Sequence, residues 1–581
     1  VALQQPHTQH INSETDLLPA LRRYWGYDSF RPLQEKIVRS LLAGRDACVV
    51  MPTGGGKSLC YQLPAAMLAE KTAIVVSPLI ALMQDQVAQL GQMGISAALL
   101  NSAVRAEEQR AVMRDALKGK YRLLYLSPER LAVESTVSWL QKVSISMFAI
   151  DEAHCISEWG HEFRPEYRLM SRLRQKFPEQ PIAAFTASAT QRVRHDIIEQ
   201  LKLRDPHKCI ASFHRPNLRY VVKECDARTQ PGFLISALRE YSGSNVIVYS
   251  PTVNQVGDTV SFLKEKGIKA IGYHGKMDAN ERRRNQELWM SDEVRVLVGT
   301  VAFGLGINKA AVRAVIHLSL PKSIEQFYQE AGRAGRDGLP ADCILLWQKK
   351  DAGLLAYFIG KLTDPLEKER AWERYNTIRA FVESSNCRHR QICAHFGEEP
   401  KWKTCAACDV CGYKLESLAG APAAKPARRD KRSSKHVTKR DVPEKRDSHR
   451  QSTFASNVSV KRTGEVLNAA LYKYLREWRR AKSKDLGIAA FIIMHDTTLE
   501  DLCLKRPTSL SGLREVLGFG ERKTELYGPE ILQILREFDG TLLSERHYAD
   551  EDEPPARPVP PRILNDEAKP RRKSGGWWGA R

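Results

Sequence analysis

Ala47-Cys48-Val49-Val50-Met51-Pro52-Thr53-Gly54-Gly55-Gly56-Lys57-Ser58 sets a β-rich apolar run directly before a glycine turn that ends in Lys-Ser and opens a helix. In that order, consecutive backbone amides can wrap a phosphate while the helix N-terminus faces it. Thr53, Gly54, Gly55 and Gly56 form the wrap, Lys57 can reach the β and γ phosphates of a nucleotide, and the Ser58 hydroxyl can sit on Mg²⁺. Met51 stands where the strict form of the pattern has glycine. A merely flexible glycine turn is the plain alternative, and Lys-Ser at a strand-to-helix junction makes it a poor one.

Around this unit, from about Ala47 to Trp347, short β-rich runs alternate with stretches of helical period: ACVVM, TAIVVS, RLLYLS, SMFAID and IAAFTAS, then NVIVYS, VRVLVGT, AVIHLSL and CILLWQ. Such alternation argues for parallel sheets covered by helices. These are too many strands for one tidy sheet, and Ser212 to Asn217 (SFHRPN) reads as a connector. The expected fold is therefore α/β and multidomain, with lobes over 1–214 and 215–350 and ligands beyond the strand ends.

Two further motifs belong to the same chemistry. The strand Met147-Phe148-Ala149-Ile150 delivers Asp151-Glu152 at its end, where Asp151 can hold Mg²⁺ through water and Glu152 can polarise an attacking water. Acidic pairs are often solvated edges, but one downstream of a phosphate loop in the same lobe favours catalysis. In the second lobe, Gln329-Glu330-Ala331-Gly332-Arg333-Ala334-Gly335-Arg336 spaces two arginines to project the same way on a helical turn. Arg336, with Arg333 beside it, is the candidate for stabilising charge on a transferred phosphoryl group across the cleft. Surface ion pairs are the bland reading for one arginine alone and a poorer one for the glycine-spaced pair.

The 581 residues exceed a single core, and no apolar run suggests a membrane span. Lys and Arg outnumber Asp and Glu by 89 to 68, for a formal charge of +21, which favours a polyanion. The polar start lacks an export signal, and most of the twelve cysteines are scattered singly, so a cytoplasmic location is expected, nucleoid-associated if the source is bacterial. Residues 351–412 turn helical and charged, 413–463 read as a flexible basic linker, 464–540 as a compact all-helical domain and 541–581 as a disordered tail. In the helical domain Leu467, Leu471, Leu475 and Trp478 mark one face, followed by Leu499, Leu502, Leu510, Leu513 and Leu517.

Cys405-Ala406-Ala407-Cys408-Asp409-Val410-Cys411, with Cys387 upstream, offers four thiolates, a donor set suited to a closed structural Zn²⁺ site. Cys393 and His395 are nearby competitors, read respectively as a buried thiol and a solvated histidine.

Together these motifs resemble superfamily two helicases, whose motors are two RecA-like lobes with ATP between them and nucleic acid across the top. Tyr27-Asp28-Ser29-Phe30-Arg31-Pro32-Leu33-Gln34 is similar to the RecQ motif zero, and the resemblance implies that Tyr27, Arg31 and Gln34 hold adenine. Cys155-Ile156-Ser157-Glu158-Trp159-Gly160-His161-Glu162-Phe163-Arg164-Pro165 resembles the aromatic-rich loop of that family. It implies DNA contact for Trp159, His161, Phe163 and Arg164, and unpaired bases can stack on the aromatic rings whatever their sequence. Thr186-Ala187-Ser188 and Val298 to Lys309 look like family motifs linking the lobes, and Cys387 with the downstream trio resembles the RecQ zinc module.

The helical domain resembles HRDC domains through Lys505-Arg506-Pro507-Thr508-Ser509-Leu510 and Gly518-Phe519-Gly520-Glu521-Arg522-Lys523. Lys505, Arg506, Arg522 and Lys523 are its candidate phosphate partners, with solvated charge as the alternative. The winged-helix domain usual after the RecQ zinc module looks absent, leaving linker residues Arg428, Arg429, Lys431 and Arg432 to help on duplex DNA. The resemblance implies an ATP-dependent DNA helicase that moves 3′ to 5′ on single-stranded DNA and unwinds duplexes in repair and recombination. Its partners would be single-stranded, forked and duplex DNA, with single-strand-binding or repair proteins as candidates and no membrane. A DNA-binding or annealing scaffold is the rival, separable by ATP turnover.

Overall fold

The computed structural model describes residues 16–101, 104–160, 162–300, 309–419 and 468–547. Within them the strands fall into two sheets. The first contains β1 (Ala47–Val50), β2 (Thr72–Val76), β3 (Ala97–Leu100), β4 (Leu123–Leu126), β5 (Ile145–Ile150), β6 (Ile182–Thr186) and β7 (His207–Ile210), in the order β3-β4-β2-β5-β6-β1-β7. The second contains β8 (Leu218–Glu224), β9 (Asn245–Tyr249), β10 (Ala270–Tyr273), β11 (Val296–Gly299), β12 (Val312–His317) and β13 (Ala341–Trp347), in the order β10-β11-β9-β12-β13-β8.

Every pairing between these strands is parallel. Helices cover both faces, so central strands such as β1, β2 and β9 bury every side chain, which is why they read as unbroken apolar runs. Burying each Val, Leu or Ile contributes roughly 1.5–3 kcal/mol before entropy is set against it. The register puts Val50 beside Thr186 and Ile150 beside Ala184, so β1 and β6 end at one level with β5 two residues short of them, and the loops that follow leave the same edge of the sheet.

β3, β7, β8 and β10 were not among the runs read from sequence. β7 (HKCI) and β10 (AIGY) are short and only partly apolar, and β3 alternates half-buried with buried residues, so each depends on its neighbour for its shape.

Beyond β13, helices Lys349–Gly360, Pro365–Glu383 and Arg388–His395 build the module that carries the cysteine cluster. Their starts are locally encoded: Gln348 and Asp351 form a reciprocal capping box, and Asp364 caps the Pro365 helix by accepting from the Leu366 amide at 2.9 Å. The first residues of the expected linker are ordered, because Leu415 and Leu418 bury themselves on the second lobe and Tyr413 donates to Asp342 at 2.8 Å. The remaining linker, from 420 to 467, lies outside the described residues, as do Leu467, Arg428, Arg429, Lys431, Arg432 and the tail from 548. The expected missing winged helix falls there too.

The terminal domain is helical, from Ala469–Leu486 to Glu521–His547, around Leu471, Leu475, Leu499, Leu502, Leu513 and Phe519. Its last helix runs past the expected limit at 540. Leu510 and Leu517, expected on the core face, are exposed. Leu510 opens the four-residue helix Leu510–Leu513 and Leu517 follows it, and that helix is too short to keep one face inward. No helix among the described residues is long and apolar enough to cross a membrane.

Candidate nucleotide site and nucleic-acid interface

The phosphate loop leaves β1 at Met51 and enters the helix Lys57–Met67. Gly54 and Gly56 stand at φ +83 and +81, a backbone shape that favours glycine, and it turns successive amides toward one centre. Met51 is no obstacle: its buried side chain packs beneath Gly55, at 3.4 Å from where a Cβ would lie. Lys57 Nζ donates to the Met51 carbonyl at 3.2 Å, so the cation is held inside the loop. Burial pulls its pKa below the usual lysine value, against the carboxylates of Glu152 and Asp151.

Asp151 and Glu152 stand at the end of β5. The Asp151 amide is tied to the Val76 carbonyl at 2.8 Å, and Tyr167 donates to the Asp151 carbonyl at 2.9 Å. Burial, followed by the Glu152 charge, pushes the Asp151 carboxyl up to about 7. Glu152 sits at φ +46, a conformation that costs a non-glycine residue about 1 kcal/mol or more and is held here by its surroundings. Lowered lysine and raised aspartate both mark charges withdrawn from water, which a triphosphate and a divalent cation would offset.

The second lobe reaches this site. After the helix Ile324–Ala331, residues Gly332 to Arg336 form hydrogen-bonded turns rather than another helical turn, so the two arginines are aimed by loop geometry and not by helical spacing. Arg336 Cγ lies 3.4 Å from the position a Gly54 Cβ would take, placing Arg336 against the phosphate loop. Burial, then the Arg333 and Arg215 charges, lowers its pKa to about 9. An arginine does not lose its proton under physiological conditions, so the shift measures how much an anion would relieve. Gln329 donates to Ser188 Oγ at 2.9 Å across the lobes.

That last contact ends a buried polar path that the sequence did not announce. Glu152 Oε2 lies 3.3 Å from His154 Nδ1, which is 3.0 Å from Thr186 Oγ1, and the Ser188 amide donates to the same hydroxyl at 3.3 Å. Burial opposes charge on His154, but Cys155 and Glu152 outweigh it and raise its pKa well above the ordinary value. Thr186-Ala187-Ser188 was noticed by resemblance, whereas His154 gave only one signal: a polar residue between apolar ones beside the acidic pair.

Upstream, Arg31 donates to the Gly54 carbonyl, and Gln34 Nε2 donates to the Gly56 carbonyl at 3.1 Å while its Oε1 accepts from the Arg31 amide at 2.8 Å. Arg31 and Gln34 thus buttress the phosphate loop, with Tyr27 four residues before Arg31; burial raises the Tyr27 phenol pKa. Ser58 opens the loop helix beside Lys57.

The aromatic-rich segment begins in the 3-10 turn Ala153–Ile156, and its described residues from Ser157 to Arg164 are loop, as Gly160 and Pro165 suggest, with Pro165 beginning a new short helix. Trp159 lies between two guanidinium groups, 2.9 Å from Arg192 and 5.5 Å from Arg370 of the zinc-bearing module. Glu158 pairs with Arg168 and Arg370 at 2.8 and 2.9 Å, and Phe163 lies under Arg168. Arg164 stands just before the Pro165 helix, its amide donating to the Cys155 carbonyl at 2.9 Å. His161 and residues 301–308 of the Val298–Lys309 motif lie outside the described residues.

Cys387, Cys405, Cys408 and Cys411 bring their sulfurs within 4.8 Å of one another, a four-thiolate set that fits tetrahedral Zn²⁺ and leaves no open position. Arg388 bonds Asp409 at 3.0 Å, bracing the two halves of the cluster. Cys393 is buried away from this group, as expected. His395 is not simply solvated: its Nε2 is 2.7 Å from Glu325 of the second lobe. In the terminal domain Lys505 pairs with Asp501 at 2.9 Å and Arg522 with Glu525 at 3.0 Å, while Lys523 is buried, its pKa lowered to about 8. Lys523 therefore offers no free phosphate contact, because packing of its helix turned it inward.

Two parallel-sheet lobes closing a phosphate loop against paired arginines, with a four-cysteine module behind them, define a two-lobed helicase core. The model for DEAD/DEAH box helicases matches residues 31–197, the helicase conserved C-terminal domain 230–338, RecQ zinc-binding 349–412 and the HRDC domain 468–535. ATP-dependent DNA helicase RecQ of Bacillus subtilis (strain 168) is 32% identical over 588 residues, covering 89% of this chain and 98% of that protein, and the chain belongs to the RecQ helicase family.

Relatives of the same name in Haemophilus influenzae and Pasteurella multocida are 40% and 41% identical over 70% and 68% of this chain. The match spans just under two thirds of their own length, 65% and 62%. A solved structure of the DUF1998 helicase MrfA bound to DNA aligns with 59% of this chain and 52% of its own, with a TM-score of 0.49 and 19% identity.

Proposed function

We propose that this chain is an ATP-dependent DNA helicase that moves along single-stranded DNA and separates duplexes, in the 3′ to 5′ direction of its family, in cytoplasmic DNA repair and recombination. The observation that carries the reading is the approach of Arg336 to Gly54, which brings the second lobe to the phosphate loop of the first. In this proposal the loop amides and Lys57 hold the triphosphate, Ser58 and Asp151 hold Mg²⁺, and Tyr27, Arg31 and Gln34 hold adenine. Bound Mg²⁺ supplies charge neutralisation at the phosphate oxygens. Glu152 takes a proton from the attacking water, while Arg336 and Arg333 stabilise charge that develops on the phosphoryl group.

Because the arginines arrive on the other lobe, cleavage and lobe closure become one event. Gln329, at the end of the His154–Thr186–Ser188 path, is placed to sense that closure. Trp159, Phe163 and Arg164, with His161, make the contact to unpaired DNA, and single-strand-binding or repair proteins are its candidate partners.

The test is ATP turnover by the full chain with single-stranded DNA, forked DNA and RNA side by side. DNA should stimulate turnover, and Lys57→Ala should cut it by at least about a hundredfold while keeping the fold. An absence of DNA stimulation, or a Lys57→Ala variant that unwinds like the parent, would leave the scaffold reading in possession.

A further inference from the structure

The connector between the lobes does more than join β7 to β8. Arg215, in the middle of Ser212-Phe213-His214-Arg215-Pro216-Asn217, sends its guanidinium to both sides of the nucleotide cleft at once. One nitrogen donates to the Thr53 carbonyl of the phosphate loop at 3.1 Å. The other donates to the Gly335 and Ala334 carbonyls, at 3.1 and 3.4 Å, immediately before Arg336. Its Nε donates to Asn217 Oδ1 at 3.4 Å, and Asn217 Nδ2 in turn donates to the Gly335 and Leu339 carbonyls at 2.8 and 3.0 Å. Gly335 stands at φ +54, and an added Cβ would lie 2.5 Å from the Asn217 amide, so the turn carrying Arg336 is moulded around the connector.

The other half of the connector is gripped by the zinc-bearing module. Glu398 accepts from the Ser212 hydroxyl and the Phe213 amide at 2.6 and 2.7 Å. Phe213 stacks on Phe396 with ring centres 4.2 Å apart, and His214 packs on Trp402 at 4.6 Å. Six residues therefore link the zinc module at one end to the phosphate loop and the Arg336 turn at the other.

We propose that Arg215 is a positioning residue that sets Arg336 against the phosphate loop, and that Glu398 and Phe396 make its placement depend on the zinc module. The proposal rests on the ATP-hydrolysis reading above. Geometry explains the residue type: several carbonyls lying in different directions need the planar fork of a guanidinium, and a lysine ammonium supplies the charge without the fork. Among the described residues Arg215 donates to backbone carbonyls and Asn217, so its part is to place Arg336, whose own position decides the stabilisation of the transferred group.

The experiment measures DNA-stimulated kcat, affinity for a fluorescent ATP analogue and zinc content for full-length Arg215→Gln and Arg215→Lys, with Arg215→Gln repeated in an Arg336→Ala background by single turnover. Both single variants should lose about tenfold to a hundredfold in kcat, with analogue affinity within about threefold and zinc retained. In the Arg336→Ala background the same change should cost less than about twofold, because the residue it positions is gone. Glu398→Gln, which weakens the hold on the connector from the zinc side, should lower kcat about threefold or more with analogue affinity kept.

Parental kcat in Arg215→Gln, full activity in Arg215→Lys, or an equal loss with and without Arg336 overturns the positioning role. Parental kcat in Glu398→Gln overturns the dependence on the zinc module. If Arg215→Gln does not fold, Arg215→Lys decides. A parent chain that hydrolyses no ATP sinks the underlying reading instead, so the two failures are told apart.

Discussion

The nucleotide cleft and the terminal helical domain both carry cations that the sequence singles out, yet the two regions use them in opposite ways. In the cleft, Lys57, Arg333 and Arg336 come from both lobes to one buried centre, and burial lowers the pKa of Lys57 and Arg336. In the terminal domain, Lys505 and Arg522 are about half exposed and already paired with carboxylates one turn away, and the buried Lys523 faces its own domain. That domain instead meets the motor through other residues: the Gly518 amide donates to the Gly26 carbonyl at 3.3 Å, Tyr527 bonds Gln92, and Arg476 pairs with Asp292 at 3.1 Å. A motif cation brought beside groups from distant parts of the chain is held for a site between them, whereas one paired with a carboxylate one turn away, or packed into its own domain, is satisfied locally.

The contrast breaks most readily at Arg336. Arg336→Ala should lower DNA-stimulated kcat by about 10³-fold with analogue affinity nearly kept, and a loss below about tenfold would place it among the merely local charges. Trp159→Ala, which empties the site between Arg192 and Arg370, should keep DNA affinity within about threefold while DNA stimulation of turnover falls about tenfold, read by ATPase rate against DNA concentration. Unchanged stimulation would remove Trp159 from the coupling.

In the terminal domain the sign reverses. Lys523 has its folded pKa lowered to about 8, so above 8 the unfolded chain binds more protons than the folded one and stability should rise with pH up to the unfolded value. Below 8 the cost of its buried charge is present in full. Lys523→Met should therefore stabilise the domain by about 1–3 kcal/mol at pH 7 and flatten that pH dependence, read by thermal melting between pH 7 and 10. A destabilised variant would show that Lys523 has an anionic partner. The smallest effect belongs to Lys505→Ala with Arg522→Ala: because both pairs are exposed, the double change should shift stability by less than about 1 kcal/mol, measured by denaturant titration.

Legibility in the sequence follows the distance along the chain over which each feature is built. Thr53 to Ser58, Asp151-Glu152 and the cysteine trio are compact motifs, and each arrives in the structure on the element its spacing predicts. The strands buried on both faces were readable as apolar runs, whereas β3, β7, β8 and β10 were missed, all four of them edge strands of their sheets. Leu510 and Leu517 misled because a helical period says nothing about where a short helix ends. The tie between Arg215 and the cleft was invisible for another reason: Thr53 and Gly335 lie 162 and 120 positions away, and they are recognised through backbone carbonyls that every residue type possesses.

By itself, the sequence determined that this chain builds two parallel α/β lobes with a phosphate loop, an acidic pair and a zinc-binding cluster, because hydrophobic period and ligand spacing act over a few neighbouring residues. The tertiary structure alone decided which cations meet the phosphate loop, that the zinc module holds the connector, and that Lys523 is spent on packing. Burial and the pairing of distant groups are properties of the folded chain, and they set the free energy of each charge far more than its neighbours in sequence do.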